Sequence, residues 1–295
     1  MLLSSTNHTY FKYFTMEEIV GLMHEAGFNA IDFGFSSAPY YNEESDNTQF
    51  HERLKNLRLL AEEKGMVFNQ AHAPFPSQAP DPQDMETRFW DIVRSMKYAS
   101  ILGIPHIVVH PIKYIGDKNH RDPEELFEVN MKFYNRLKPF CEEYNIKVAV
   151  ENMWRNAYNY KNQAVAIIPS VCASPEDFLR YLNNLDEKWF VACLDTGHAM
   201  LTREDLPTMI KALGSRLKCL HVHDIDGQHD SHTVPYCGGM GNWEEIAKAL
   251  KDANYTGDFT FEAGNFLAPL PKELWLPASR YMADIGNYII GMIEG

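Results

Sequence analysis

Long apolar runs are absent from this chain. No window of about 18 residues is both apolar and uncharged, which argues against a helical membrane span. Cysteine is scarce and scattered: Cys141, Cys172, Cys193, Cys219 and Cys237 are odd in number and include no C-x-x-C pair. That spacing indicates neither a disulfide framework nor a zinc ribbon, and it suits a reduced, cytoplasmic protein. The N-terminus, MLLSSTNHTYF, has no basic n-region, so no signal peptide is expected. Positive charge is also short, with 27 Lys and Arg against 40 Asp and Glu and a net charge of −13 with neutral histidines. An acidic body repels phosphodiester backbones, so nucleic acid is disfavoured as a partner.

Histidine and carboxylate are concentrated instead. The stretch Leu220 to Trp243, LHVHDIDGQHDSHTVPYCGGMGNW, carries His221, His223, His229 and His232 with Asp224, Asp226 and Asp230. It opens with the apolar, β-branched character of a strand and breaks at Asp-Gly. Imidazole and carboxylate together are the ligand set of zinc, manganese, cobalt or iron.

Eight strand-then-helix units run along the chain, beginning near residues 2, 30, 67, 106, 147, 190, 217 and 257. The strands are expected at Met1–Leu3, Ala30–Phe35, Val67–Ala71, His106–Val109, Lys147–Val150, Phe190–Leu194, Leu217–Val222 and Asp258–Phe261. Helix signals fall between them. Thr15-Met-Glu-Glu18 has capping-box spacing and Gly27 follows as a stop. Helices are expected over about 48–64, 85–102 and 123–144, and Ser174-Pro175 opens another. Further helices are expected over about 204–213 and 243–253, the latter capped by Asn242, and an amphipathic segment over 272–293. Met153 to Ala173 reads as the longest loop. Eight βα units in this length predict an α/β fold, a single (β/α)8 barrel domain over residues 1–295. A doubly wound sheet is the alternative, but its first-turn glycine fingerprint is missing.

Six strand ends finish in a metal-competent residue: His72, His110, Glu151, Asp195, His221 and Glu262. In a barrel every C-terminal strand end faces the same side, where active sites sit, so these residues converge on one cup. Singly, His72 or His110 would more often be a hydrogen-bonded core histidine, and Glu151 or Glu262 a salt-bridged rim carboxylate. As a set they bury negative charge with no matching Lys or Arg, and a metal is the natural counter-charge. His221 and His223 lie two apart and face the same side of a regular strand, so only one need be a ligand.

These motifs, HAPF (72–75), VVHP (108–111), VEN (150–152), LDTGH (194–198), HVHD (221–224), DSH (230–232) and FEAG (261–264), resemble in order and spacing the xylose isomerase-like barrels. That family includes sugar (phosphate) isomerases and epimerases and the endonuclease IV-type AP endonucleases. The resemblance to its ketose 3-epimerases implies one divalent metal held by Glu151, Asp195, His221 and Glu262, with both glutamates as acid/base and His198 on the sugar. The resemblance to endonuclease IV implies three zinc ions on His72, His110, Glu151, Asp195, His198, His221, Asp230, His232 and Glu262. His221 is preferred over His223, because His-x-x-Asp (221–224) matches the family pattern.

Two loops bear on the choice. Lys113, Lys118 and Arg121 form at most a modest basic cluster, whose bland reading is ordinary solvated charge. The loop after the fifth strand offers Trp154, Arg155, Tyr158, Tyr160 and Lys161, aromatics and cations that suit a sugar bearing a phosphate or carboxylate. A Tyr40-Tyr41 pair marks the loop after the second strand. The expected activity is therefore metal-dependent isomerisation or epimerisation of a sugar, sugar acid or sugar phosphate through an enediolate, with Trp154 and Arg155 contacting substrate beside His198. The ion would be Mn, Zn, Co, Fe or Mg, and the partner a small carbohydrate. A multinuclear metal phosphoester hydrolase is the rival. The last helix, with Trp275, Leu276, Tyr281 and Tyr288, either covers the barrel or joins a homo-oligomer.

Overall fold

The structure, a computed structural model, describes residues 1–37, 46–79, 81–114, 122–159, 161 and 163–295. Eight parallel strands form one sheet: β1 (Leu3–Thr6), β2 (Ala30–Gly34), β3 (Val67–His72), β4 (His106–Val108), β5 (Lys147–Glu151), β8 (Phe190–Asp195), β9 (Leu217–His221) and β10 (Phe259–Phe261). β1 pairs with both β2 and β10. The remaining gap closes through the parallel bridge Val222 to Phe261, where Val222 N donates to Thr260 O (2.8 Å) and Glu262 N to Val222 O (3.0 Å). The expected (β/α)8 barrel is the observed architecture.

The helices begin where local chemistry starts them. At α1 (Met16–Ala26) both halves of the Thr15/Glu18 capping box are made, and Gly27 at φ 101° ends the helix in the left-handed region. Proline stands in the first turn of α3 (Pro82–Leu102), α4 (Pro123–Tyr144), α5 (Pro175–Asn183) and α7 (Leu206–Leu213), each behind an Asp or Ser cap. α2 (Thr48–Glu63), α8 (Trp243–Asp252) and the closing α10 (Trp275–Glu294) complete the outer layer, with the single-turn α9 (Gly264–Leu267) following β10.

Three expectations shift. The first strand is not Met1–Leu3 but Leu3–Thr6, whose Ser4, Ser5 and Thr6 are buried. Hydropathy hides this strand because its inner face is a hydroxyl network: Ser4 Oγ donates to Thr260 Oγ1 (2.7 Å), and Asn69 Nδ2 to the same oxygen (3.3 Å). The loop 153–173 contains an antiparallel hairpin, β6 (Trp154–Tyr158) with β7 (Ala164–Pro169). A short helix, α6 (Thr196–Leu201), starts directly from β8, with Asp195 accepting from His198 N (2.6 Å) as its cap.

Side-chain alternation decides what faces the barrel interior. Val108, Ala149, Val191, Cys193 and Cys219 form a small inner cluster, separate from the large core beneath the helices. On β5, Ala149 lies inside between outward Val148 and Val150, so Glu151 turns inward two residues later. The same parity carries Val191 and Cys193 to Asp195, Val108 to His110, and Cys219 to His221 and on to His223. These inward side chains accumulate at the C-terminal mouth.

Candidate metal centre

Glu151, Asp195, His221 and Glu262 converge with one ligand atom apiece inside 4.8 Å of one another. His221 Nδ1 lies 3.3 Å from both Glu151 Oε1 and Glu262 Oε2. Each glutamate has a further imidazole: His110 Nε2 is 2.9 Å from Glu151 Oε2, and His72 Nε2 is 3.4 Å from Glu262 Oε1. A neighbouring group of the same compactness joins His198, His223, Asp230 and His232. His198 Nδ1 bonds Asn152 O (2.9 Å) and His232 Nδ1 bonds Glu262 O (2.8 Å). Those carbonyls hold the ring protons, leaving both Nε2 atoms toward Asp230 Oδ2, at 3.5 and 3.2 Å. His223 Nε2 bonds Asp195 Oδ1 at 3.0 Å.

The polar atoms are close but poorly paired. His72 Nε2, His110 Nδ1, both Glu151 oxygens, both His221 nitrogens and Asp230 Oδ1 are buried without a hydrogen-bond partner. Several lie within about 3.4 Å of an opposite charge yet are misaligned for a hydrogen bond, as donor atoms aimed at a common point would be. This donor set, mixed nitrogen and oxygen with fixed lone pairs, fits a divalent ion such as zinc, manganese, cobalt, iron or magnesium.

Electrostatics agree. Burial pushes Glu151 and Glu262 up, but the surrounding imidazoles outweigh it and hold both well below the ordinary carboxylate range. Burial and neighbouring His72 pull His221 down, yet Glu262 and Glu151 raise it to about 9. His232, pulled down by burial, is raised to about 10 by Asp230 and Glu262.

Every expected metal-competent residue thus reaches the cup. Two were missing from that set: His223, which lies in the second group, and Asp32, fully buried on β2 with Oδ1 3.1 Å from His72 Nδ1. An aspartate inside the apolar run AIDFGF was the available signal. His8, just beyond β1, also lines the cavity. Asp224 has a different task, since it accepts from Ile225 N, Met240 N, Gly241 N and Trp243 Nε1 and so pins the loop after β9. Gly197 explains the glycine of LDTGH: a Cβ there would stand 1.9 Å from His223 Cε1.

Above the ligands lies a cavity of about 450 Å³ walled by Phe75, Met153 and Trp154. Trp154 Nε1 donates to Asp230 Oδ2 (3.1 Å), so this indole both walls the cup and orients a ligand candidate. Arg155, the next residue on β6, lines a separate small cavity with Asp177 and Tyr181. Lys113 does line the cup, its ammonium 5.4 Å from the Phe75 ring centre and 5.9 Å from that of Trp154. Tyr40, Tyr41, Lys118, Arg121 and Tyr160 lie outside the described residues.

A model of the xylose isomerase-like TIM barrel family matches residues 20–284. The chain belongs to that family. Among curated relatives, the uncharacterized protein y4fM of Sinorhizobium fredii is 26% identical over 293 residues, covering 90% of this chain and 83% of its own length. D-psicose 3-epimerase of Enterocloster bolteae is 24% identical over 219 residues, 72% of this chain and 66% of that protein. A solved structure described as a D-tagatose 3-epimerase-like protein superposes with a TM-score of 0.76 at 19% identity, covering 100% of this chain and 98% of its own. The resemblance read from the motifs is therefore borne out for family and fold. No helix among the described residues is long and apolar enough to cross a membrane.

Proposed function

We propose that this xylose isomerase-like barrel is a divalent-metal-dependent isomerase or epimerase of a sugar, sugar acid or sugar phosphate. The observation that carries the reading is the pairing of two glutamates, Glu151 buried and Glu262 half-buried, with separate imidazoles around one nitrogen of His221. Glu151, Asp195, His221 and Glu262 would hold the ion. A bound divalent ion would polarise the substrate carbonyl and stabilise the negative charge that builds on it during proton removal.

The protein's own groups supply the proton path. Glu151 and Glu262 flank His221 and are held ionised, so either can accept a proton from carbon. Each has an imidazole nitrogen beside it, His110 Nε2 for Glu151 and His72 Nε2 for Glu262, which suits relay of the abstracted proton on either side. His198, Phe75 and Trp154 would bound the substrate and exclude water, and Lys113 at the rim suits a substrate with an anionic end. Support also comes from the D-psicose 3-epimerase among the relatives.

A second reading rests on the His198, His223, Asp230 and His232 group, which a one-ion epimerase does not require. With it filled, the cup would suit a multinuclear metal hydrolase of phosphoesters. Incubation of metal-loaded protein with ketoses in D2O tests the first reading. Solvent deuterium should enter the carbon beside the carbonyl, and its absence across neutral and anionic ketoses, alongside hydrolysis of a phosphoester, would replace it with the second.

A further inference from the structure

Asp32 is the buried carboxylate of the cup that the proposed chemistry leaves unused. Its Oδ1 lies 3.1 Å from His72 Nδ1, and its Oδ2 accepts from Gln70 Nε2 at 2.7 Å and lies 3.6 Å from His221 Nε2. The rings of His72 and His221 stack with centroids 4.1 Å apart and planes only 10° from parallel. Asp32, His72 and His221 are close enough to be counted as a metal group, but the ring geometry speaks against it. An imidazole lone pair lies in the ring plane. Near-parallel rings about 4 Å apart confine their lone pairs to separate parallel planes, whereas an ion about 2.0–2.1 Å from each nitrogen needs them to converge.

We propose instead that Asp32 is a positioning residue that selects the tautomer of both histidines. An ionised carboxylate only accepts, so it favours N–H on each ring nitrogen that faces it. His72 then carries its proton on Nδ1, in a hydrogen bond. His221 carries its proton on Nε2, where 3.6 Å is longer than a hydrogen bond and the attraction is that of a buried charge for a ring dipole. The opposite atoms are left as lone pairs: His72 Nε2, 3.4 Å from Glu262 Oε1, and His221 Nδ1, 3.3 Å from Glu151 and Glu262. Both are buried and lack a hydrogen-bond partner. One carboxylate on β2 thereby makes two stacked imidazoles present opposite nitrogens to the cup, Nε2 from β3 and Nδ1 from β9. This inference rests on the reading that the cup holds a divalent ion.

The test is nitrogen-15 NMR of histidine-labelled protein loaded with cadmium-113, together with cadmium affinity for wild type and Asp32→Asn. In wild type, the cadmium coupling of His221 should appear on Nδ1, with the proton on Nε2. In Asp32→Asn the amide oxygen keeps the Gln70 Nε2 hydrogen bond and the amide N–H turns to His72 Nδ1, so His72 is driven to the opposite tautomer and the charge that holds the Nε2 proton of His221 is lost; affinity should fall by about 10- to 100-fold. Cadmium coupling to His221 Nε2, or unchanged affinity in a folded Asp32→Asn variant, would overturn the proposal. If the chain binds no cadmium, the metal reading fails on its own. The tautomers are then read from metal-free wild type at a pH high enough to keep the rings neutral. Nδ1–H on His72 with Nε2–H on His221 supports the role of Asp32, and the reverse pair overturns it.

Discussion

Raising the pH should tighten metal binding and weaken the metal-free protein over the same interval. His221 is fully buried, and burial with neighbouring His72 favours its neutral ring, but Glu262 and Glu151 raise it to about 9. His232 is raised to about 10, chiefly by Asp230 against the effect of burial. For a group whose folded pKa exceeds its unfolded value near 6.5, the stabilisation is complete below about 6.5 and disappears as pH climbs through the folded value. The gap for His221 is about 2.5 pH units, and at 1.36 kcal/mol per unit its proton stabilises the metal-free fold by on the order of 3 kcal/mol. An ion that takes the nitrogen lone pair must expel that proton, so affinity should rise about tenfold per pH unit for each proton released. Calorimetric titration at pH values between about 6.5 and 9, in two buffers of different ionisation enthalpy, counts the protons directly. One should leave per chain, from His221, while thermal melts of the metal-free protein fall over the same range. An affinity independent of pH, with no proton release, would mean that no ring proton of His221 stands in the way of the ion.

Glu151→Gln and Glu262→Gln, each assayed at saturating metal, should lower deuterium incorporation into a ketose by about 10²- to 10⁴-fold, the range for loss of a general acid or base. Lys113→Met should raise KM for a ketose phosphate or uronate while leaving a neutral ketose within about twofold, and Arg155→Ala should leave both unchanged because it lines another cavity. Steady-state kinetics on matched substrates separates these outcomes. Gly197→Ala drives a methyl into His223, so differential scanning calorimetry should show a loss of about 1–3 kcal/mol, accompanied by weaker metal binding.

Much of the barrel could be read from the chain because its signals are local. The Thr15/Glu18 box, Gly27, Ser174-Pro175 and Asn242 act within a few residues of themselves, and each stands where its spacing implied. The strand ends could be read because each metal-competent residue falls after or within an apolar run. What escaped depends on partners distant in sequence. β1 is polar because Thr260 and Asn69 complete its hydroxyl network from across the barrel. Asp32 sits mid-strand, and its use emerges only when β3 and β9 bring His72 and His221 against it. Arg155 was grouped with Trp154 by proximity in the chain, but neighbouring residues of a strand point to opposite faces. His223 was set aside for His221, although a two-residue step keeps both inside the barrel and the structure gives each a separate cluster.

If the cup is a metal centre in which Glu151, Asp195, His221 and Glu262 serve carbon-bound proton transfer, metal content per chain decides it. The measurement is elemental analysis of protein purified without chelator or histidine tag. About one manganese, cobalt or magnesium per chain is expected, retained in Asp230→Ala and His232→Ala. Two or three zinc ions, lost together in those same variants, would contradict it in favour of the hydrolase, and no metal even after reconstitution would contradict both.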